Sequence, residues 1–317
     1  MTEALAAPRM DPAKFRDPLI TAAGEQRAQV ALKSLETLWF NTGTLCNLTC
    51  ANCYIESSPT NDRLAYLSTA EVARYLDEIE TLGLGTALIG FTGGEPFMNR
   101  DLPAMLEDAL SRGLEAIVLS NAMTPMHHKK IALLALRERY GKRLTLRVSL
   151  DHYGRAVHEL ERGACSWGPT IDGLKWLADN RFTVNVASRY LSGEPEAAIR
   201  AGFRHLFAEL RIPIDADDAA ALTIFPEMDA TADVPEITTA CWGILNKSPD
   251  SVMCATSRMV VKRKGAASPS VVACTLLPYD ALWDLGPSLA GATGPVPLNH
   301  PHCAKFCVLG GGACSRG

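Results

Sequence analysis

The chain of 317 residues carries 31 lysines and arginines against 35 aspartates and glutamates, a formal net charge of −4. Its share of 47% hydrophobic and 21% charged residues is that of a globular protein with a large core, which argues against disorder. The charge balance makes a nucleic-acid partner unlikely on composition, and no apolar run approaches the length of a membrane span.

Residues 1–35 are predicted to form an irregular or helical arm that leads into the first strand. Residues 1–17 contain prolines and charges and have no apolar core of signal-peptide length. We therefore expect a cytoplasmic protein. Disulfide bonds are disfavoured in that compartment, so the ten cysteines of the chain call for another explanation.

Beyond the arm, short β-rich runs alternate with amphipathic helical segments. The predicted strands are residues 38–41, 86–92, 115–121, 144–150, 183–189 and 221–225. The later predicted helices are residues 101–112, 127–140, 169–179 and 195–210. This alternation is typical of parallel βα units. It predicts an α/β fold, a partial (β/α)6 parallel barrel or an open curved sheet over residues 36–230, followed by a small cysteine-rich C-terminal subdomain over residues 231–317.

The first predicted helix has a clear start and stop. Ser68 is a favourable N-cap, and Glu71 three residues later completes a capping box. Apolar residues then recur at helical spacing until Gly83 and Gly85 end the pattern.

Three cysteines follow the first predicted strand. Cys46, Cys50 and Cys53 are spaced C-x3-C-x2-C and are followed directly by the aromatic Tyr54. A cubane of four irons needs four ligands, so three thiolates leave one iron open, as in a catalytic rather than a structural site. Zinc is the weaker interpretation, because structural zinc sites usually repeat a short Cys/His pair and no histidine lies within fifty positions downstream.

A second motif, Gly93-Gly94-Glu95-Pro96, follows the second predicted strand. Two glycines let a ligand approach the backbone without a Cβ clash, and a glutamate can hold an ammonium group. Alone, this string is also typical of an ordinary turn between a strand and a helix. Its position matters because ligands bind at the carboxyl ends of parallel strands.

The carboxyl-terminal part contains a second group of cysteines. Cys254 and Cys274 bracket a segment whose alternation predicts a β-hairpin around a basic turn. Cys303, Cys307 and Cys314 lie beside a loop of three glycines. Taken alone, this group of cysteines is also consistent with a zinc site.

Taken together, the triple-cysteine run and the Gly-Gly-Glu-Pro motif resemble the radical S-adenosylmethionine superfamily, over most of residues 38–225. In that family the cysteine loop holds a [4Fe-4S] cluster whose free iron chelates the amino and carboxylate groups of S-adenosylmethionine. The resemblance assigns the cluster to Cys46, Cys50 and Cys53. It places Tyr54 near the adenine.

The same resemblance implies further S-adenosylmethionine contacts. Gly93, Gly94 and Glu95 match the segment that receives the methionyl amino group. Ser149, at the end of the fourth predicted strand, and Arg189, at the end of the fifth, match positions near the ribose and the carboxylate. Each of these two residues, taken singly, is also consistent with a surface polar group or a helix cap.

The tail resembles the cysteine-rich extension called SPASM or, in its shorter form, twitch, which carries auxiliary [4Fe-4S] clusters. It departs from the full pattern, because its last cysteines are spaced C-x3-C-x6-C. We expect one auxiliary [4Fe-4S] cluster, with Cys241 as a further candidate ligand and Cys165 left unassigned. The expected ligands are drawn from Cys254, Cys274, Cys303, Cys307 and Cys314.

The resemblance implies an oxidoreductase that reductively cleaves S-adenosylmethionine to a 5'-deoxyadenosyl radical, which takes hydrogen from a substrate. It implies an external one-electron donor such as flavodoxin or ferredoxin. The tail favours a peptide or a peptide-derived substrate. Two alternatives remain open: a small-molecule or cofactor-biosynthesis enzyme similar to the molybdopterin-precursor cyclase, and a non-catalytic iron-sulfur or zinc protein that binds a partner or senses redox state.

Overall fold

A computed structural model of the chain describes residues 9–191, 193–226 and 229–313. Its strands are β1 (Gln29–Val30), β2 (Thr37–Asn41), β3 (Leu88–Thr92), β4 (Glu115–Ser120), β5 (Leu144–Ser149), β6 (Thr183–Arg189), β7 (Leu222–Phe225), β8 (Ser257–Val261), β9 (Ser270–Val272) and β10 (Val296–Pro297). Its α-helices are α1 (Thr69–Leu82), α2 (Leu102–Ser111), α3 (Thr124–His127), α4 (Lys130–Tyr140), α5 (Arg155–Arg162), α6 (Trp167–Asp179), α7 (Glu196–Leu210) and α8 (Cys241–Ile244).

Eight strands form the main sheet, in the order β7-β6-β5-β4-β3-β2-β8-β9. Strands β2 to β7 are parallel and follow one another in chain order, with helices between them. The predicted α/β architecture with a parallel sheet is confirmed. Because every one of these strands points the same way, their carboxyl ends meet at one edge, where loops and side chains converge.

The core lies between this sheet and its helices, and the alternation of side chains along each strand explains why. In β2, Leu38 and Phe40 join the large cluster that the helices cover, whereas Trp39 points to the opposite face of the sheet. The Trp39 ring occupies the space over Gly90 of β3, where a Cβ atom would lie 2.2 Å from a ring carbon. A side chain at position 90 would therefore collide with Trp39.

Helix α1 begins as predicted. The Ser68 side chain accepts a hydrogen bond from the Glu71 N–H, and the Glu71 carboxylate accepts one from the Ser68 N–H. Gly83 ends the helix in the left-handed conformation. The predicted helix over residues 127–140 is wrong in its start, because the chain turns at 128–129 and separates α3 from α4.

The tail extends the sheet and binds the arm. The predicted hairpin is present, since β8 pairs with β2 in parallel and β9 pairs antiparallel with β8. Strand β1 of the arm pairs with β10 of the tail, and buried Arg27 forms an ion pair with Glu236. The arm therefore packs on the tail. No helix within the described ranges combines the length and the apolar character needed to cross a bilayer.

Candidate functional site

An open cavity lies at the carboxyl ends of the parallel strands, and its volume of about 1000 Å³ includes solvent space at the mouth. Thr92 of β3, Leu119 of β4, Ser149 of β5, Arg189 of β6 and Phe225 of β7 all line it. The loop after β2 supplies the wall on one side, and residues of the tail supply part of the other wall. The sheet thus brings five strand ends and two distant segments of the chain to one space.

Cys46, Cys50 and Cys53 all line this cavity. Burial raises the pKa of the Cys46 thiol to about 12 and also raises the pKa of Cys50, so both are neutral thiols when no metal binds. Two backbone N–H groups point at the sulfurs: Leu48 donates to Cys46 Sγ at 3.4 Å and Ser57 to Cys53 Sγ at 3.3 Å. Such donors stabilise thiolates once a metal displaces the protons.

In the described ranges, these thiols do not form a ready-made site for a single metal ion. Among the described residues, no three Cys, His, Asp or Glu side chains approach closely enough to share one metal ion. A single zinc ion needs all its ligands within about 2.3 Å of one point. In a cubane each thiolate binds a different iron, so the sulfurs stand further apart.

Two buried polar atoms in the same cavity support a bound polar ligand. Ser57 Oγ and Arg189 Nε are buried and have no hydrogen-bond partner among the described residues. Both residues line the cavity. Buried polar groups are normally paired, so an unpaired donor beside a cavity indicates a position where a ligand or water completes the site.

Helix α5 holds the cysteine loop in place through Glu161. The Glu161 carboxylate accepts hydrogen bonds from the Asn52 backbone at 3.1 Å and the Asn52 side chain at 2.7 Å, and its own carbonyl accepts one from Ala51 N–H at 2.8 Å. Arg189 Nη1 donates to the same carboxylate at 2.6 Å and to Asn52 O at 3.2 Å. One buried ion pair therefore joins the loop, the helix and strand β6.

A second buried ion pair lies beside the thiols. Arg162 donates to both oxygens of Asp151, at 2.6 and 3.1 Å. Burial lowers the pKa of Arg162, but the charges of Asp151 and Cys50 outweigh burial and the net shift is upward. The same guanidinium opposes the rise that burial causes in the pKa of Cys50. Arg162 therefore supplies positive charge where thiolates would accumulate negative charge.

Gly93 and Gly94 lie against the chain's own cysteine loop. A Cβ on Gly93 would lie 2.4 Å from Gly43 O, and one on Gly94 would lie 2.2 Å from Leu45 O. Gly94 N–H donates to Gly43 O at 2.8 Å. Both glycines line the cavity as well, but their clearest structural role is to let the loop that carries Cys46 pack on the end of β3.

Glu95 is buried and does not line the cavity. Its carboxylate accepts hydrogen bonds from Ser120 Oγ at 2.9 Å, Asn121 N–H at 2.9 Å and Phe97 N–H at 3.2 Å. Burial raises its pKa to about 7 although these three donors oppose the rise. The contacts join the end of β3 to the end of β4, and the predicted contact with a methionyl ammonium stays a prediction.

The cavity gathers most of the residues predicted from the sequence. The predicted residues that line it are Cys46, Cys50, Cys53, Tyr54, Gly93, Gly94, Ser149 and Arg189. Sequence reasoning missed Glu161 and its loop contacts because α5 was not predicted. The charged spacing of Arg155 and Glu159, four residues apart, was the signal for that helix.

The cysteines of the tail form a separate group. Burial raises the pKa of Cys254 to about 11, and burial together with the nearby thiols of Cys274 and Cys254 raises that of Cys303. Cys254 and Cys303 belong to one apolar cluster of buried residues, and Cys241, Cys274 and Cys307 pack against it. None of these five cysteines lines the cavity. Cys314 lies outside the described residues, and Cys165 is exposed.

The chain belongs to the radical SAM superfamily. The sequence model of that family, described as "Radical SAM superfamily", matches residues 40–200, just over half of the chain. The solved structure of SuiB from Streptococcus suis bound to S-adenosylmethionine is similar, with a TM-score of 0.58, 12% identity and coverage of 80% of this chain and 63% of that one. The structure of anSMEcpe with bound AdoMet is also similar, with a TM-score of 0.57, 14% identity and coverage of 81% of this chain and 79% of that one. At these identities the likeness concerns the fold.

Curated relatives match over shorter segments. The antilisterial bacteriocin subtilosin biosynthesis protein AlbA of Bacillus subtilis is 32% identical over 143 residues, which are 45% of this chain and 30% of AlbA. GTP 3',8-cyclase of Tolumonas auensis is 34% identical over 76 residues, 24% of this chain and 22% of the cyclase. The matched segments span about a third of these relatives or less.

Replacing Glu161 with Ala tests the importance of the buried ion pair. We expect the variant to lose about 3–5 kcal/mol of unfolding free energy, because it leaves the buried Arg189 guanidinium without its carboxylate. Urea unfolding under anaerobic, reducing conditions measures this loss. Asp217→Ala is the matched control, since the Asp217–Arg204 pair is exposed and is expected to contribute less than about 1 kcal/mol. Equal losses in the two variants would contradict the assigned role of Glu161.

Proposed function

We propose that this chain is a radical SAM enzyme that cleaves S-adenosylmethionine reductively and removes a hydrogen atom from a peptide or a peptide-derived substrate. The observation that carries the proposal is the meeting of Cys46, Cys50 and Cys53 in one cavity at the strand ends of a chain from this superfamily. The cavity also contains a buried arginine with an unpaired donor. The thiols suit iron and the arginine donor suits the carboxylate of an amino acid, so together they suit an iron-sulfur cluster with S-adenosylmethionine.

In the proposed site, Cys46, Cys50 and Cys53 would hold a [4Fe-4S] cluster through three thiolates, beside the space for S-adenosylmethionine. When bound, this cluster would supply one-electron reduction of S-adenosylmethionine, with the electron from an external donor such as flavodoxin or ferredoxin, to give methionine and a 5'-deoxyadenosyl radical. Arg162 offsets the negative charge of the thiolates, and the N–H groups of Leu48 and Ser57 donate to two of the sulfurs.

The remaining lining residues are proposed to bind and orient S-adenosylmethionine. Arg189 Nε is the donor proposed for the carboxylate, and Ser149 lies at the neighbouring strand end. Tyr54 is proposed to face the adenine. We propose that Gly93 and Gly94 receive the methionyl amino group. Glu95 is proposed to support them indirectly, because the hydrogen bonds of its carboxylate join the end of β3 to the end of β4.

The proposal includes the finer architecture. Six parallel strands in chain order support a partial (β/α)6 barrel over residues 36–230. The hairpin β8–β9 and the tail cysteines support a SPASM-like or twitch-like subdomain over residues 231–317. Its proposed auxiliary [4Fe-4S] cluster draws on Cys254, Cys274, Cys303, Cys307 and Cys314, with Cys241 as a further candidate.

The auxiliary cluster is proposed to exchange electrons with the product and not to bind the substrate. Leu276 and Phe306 line the cavity, whereas the described tail cysteines do not. Leu276 contacts both the cavity and a tail cysteine, because its N–H donates to Cys274 Sγ at 3.3 Å. A substrate in the cavity would therefore meet carbon atoms before it met a metal ligand.

The names of two relatives favour a peptide substrate. AlbA is named for bacteriocin biosynthesis, and SuiB has a structure with the precursor peptide SuiA. The second candidate is a small-molecule reaction, which the similarity to GTP 3',8-cyclase favours. A non-catalytic iron-sulfur protein is the third reading. We also propose that the protein works in the cytoplasm, where an electron donor of this kind is present.

Replacing Cys50 with Ala tests the radical site. After anaerobic reconstitution and incubation with dithionite and S-adenosylmethionine, we expect wild type to form 5'-deoxyadenosine. The variant should form none and should hold about four fewer irons, because one thiolate of the first cluster is lost. Chromatography and iron analysis provide the measurements. Cys165→Ala is the matched control, since Cys165 is exposed and does not line the cavity. Turnover in Cys50→Ala would overturn the site assignment.

The auxiliary site is tested by replacing Cys274 with Ala. We expect this variant to keep the absorbance and paramagnetic signal of the first cluster and to lose about four irons relative to wild type, since Cys274 lies among the buried tail thiols. Mössbauer spectroscopy and iron analysis report the two clusters separately. A wild type that holds only about four irons, none of which the substitution removes, would contradict the auxiliary cluster.

A further inference from the structure

The charged residues that line the cavity are already paired with one another. Asp151 binds Arg162 through two hydrogen bonds, and Glu161 binds Arg189. The lining contains these four charged side chains and no fifth. Since Arg189 Nε is proposed for the S-adenosylmethionine carboxylate, a charged substrate side chain would lose its hydration in this space and would have to break one of these pairs to find a partner.

An apolar part of the lining comes from two separate parts of the chain, and its Phe225 is the register partner of Arg189 on the neighbouring strand. Phe225, at the end of β7, and Phe306, in the π-helix Cys303–Leu309, stack with ring centroids 5.6 Å apart. Leu276, in the loop after β9, adds a third apolar side chain. We call these three residues the apolar wall. Phe306 belongs to the buried cluster that contains Cys254 and Cys303 and also lines the cavity, so it contacts both.

The glycine loop at 310–312 fixes the position of the Phe306 ring. A Cβ on Gly312 would lie 2.6 Å from a carbon of that ring, and a Cβ on Gly310 would lie 2.6 Å from Lys305 O. The two glycines therefore allow the chain to fold back over the π-helix and to hold Phe306 against Phe225. The glycine run at 310–312 therefore has a packing role in the tail, separate from the radical site.

We propose that Phe306, together with Phe225 and Leu276, selects a substrate whose reacting carbon belongs to an apolar side chain of a peptide. This inference rests on the proposed function and names its substrate class. In the step that the wall serves, a C–H bond of that side chain breaks homolytically. The hydrogen atom goes to C5' of the 5'-deoxyadenosyl radical and forms 5'-deoxyadenosine. The unpaired electron stays on the substrate carbon, and the electron that cleaved S-adenosylmethionine comes from the external donor.

The test uses short blocked peptides as probes. Acetyl-Gly-Gly-X-Gly-Gly-amide, with X as fully deuterated Leu, Phe, Lys or Glu, is incubated with the reconstituted enzyme, dithionite and S-adenosylmethionine. Mass spectrometry measures total 5'-deoxyadenosine and the deuterium that it contains. We expect at least about tenfold more deuterium per 5'-deoxyadenosine from the Leu and Phe peptides, because burying an unpaired charge against apolar side chains is costly.

Substitutions in the wall identify the responsible residue. Phe306→Glu should lower deuterium transfer from the Leu and Phe peptides by about tenfold or more, whereas Phe306→Leu should retain it within about threefold. Ile131→Glu is the matched control, because Ile131 is an exposed apolar residue far along the chain on α4. Circular dichroism and iron content verify folding. If Phe306→Glu does not fold, Leu276→Gln makes the same test of the wall.

The outcomes separate this inference from the proposed function. Absence of 5'-deoxyadenosine in wild type would refute the proposed function itself. Formation of 5'-deoxyadenosine with equal deuterium from the Lys and Glu peptides, or with none from the Leu and Phe peptides, would overturn the inference alone. A last measurement, calorimetry of S-adenosylmethionine binding, completes the test. A tenfold loss of that affinity in Phe306→Leu would place the ring against the nucleoside and would also overturn the inference.

Discussion

The site depends on how the cysteine loop after β2 is held at both of its ends. At one end, Gly93 and Gly94 let the backbone of residues 43–45 pack on β3 at distances that no side chain would permit. At the other end, Glu161 accepts hydrogen bonds from the backbone and side chain of Asn52 and pairs with Arg189. Between these two anchors, the loop has little freedom to move its thiols away from the cavity.

Charge is balanced pair by pair around this loop. Each buried carboxylate in the cavity wall has its own guanidinium, and the pairs tie α5 to the ends of β5 and β6. Buried charges are tolerated when they are paired and hydrogen-bonded, but removal of one partner is costly. This arrangement leaves few polar atoms without a partner. Ser57 Oγ and Arg189 Nε are two that do lie beside the cavity. These polar atoms and the apolar side chains of Leu276, Phe225 and Phe306 thus line one shared space.

The sequence predicted the parallel strands well because each is a short apolar or β-branched run, and the capping box at Ser68 marked α1 correctly. Helix α5 was missed for a physical reason. It is short, half of its eight residues are charged, and the residues that it buries are His158 and Glu161. Since it faces a polar loop and not the core, it shows no apolar stripe.

Other features depend on long-range packing that local patterns do not encode. The glycines at 93 and 94 were predicted to make room for a ligand, whereas the nearest atoms belong to the chain's own loop. The contribution of Phe306 to the cavity follows from the return of the tail over β7.

The central claim is that three thiols leave one iron open to S-adenosylmethionine. Electron-nuclear double resonance on the reduced, reconstituted protein, with S-adenosylmethionine labelled with nitrogen-15 in its amino group, tests it most directly. The account predicts a hyperfine coupling to that nitrogen, and a cluster signal without any coupling would contradict it.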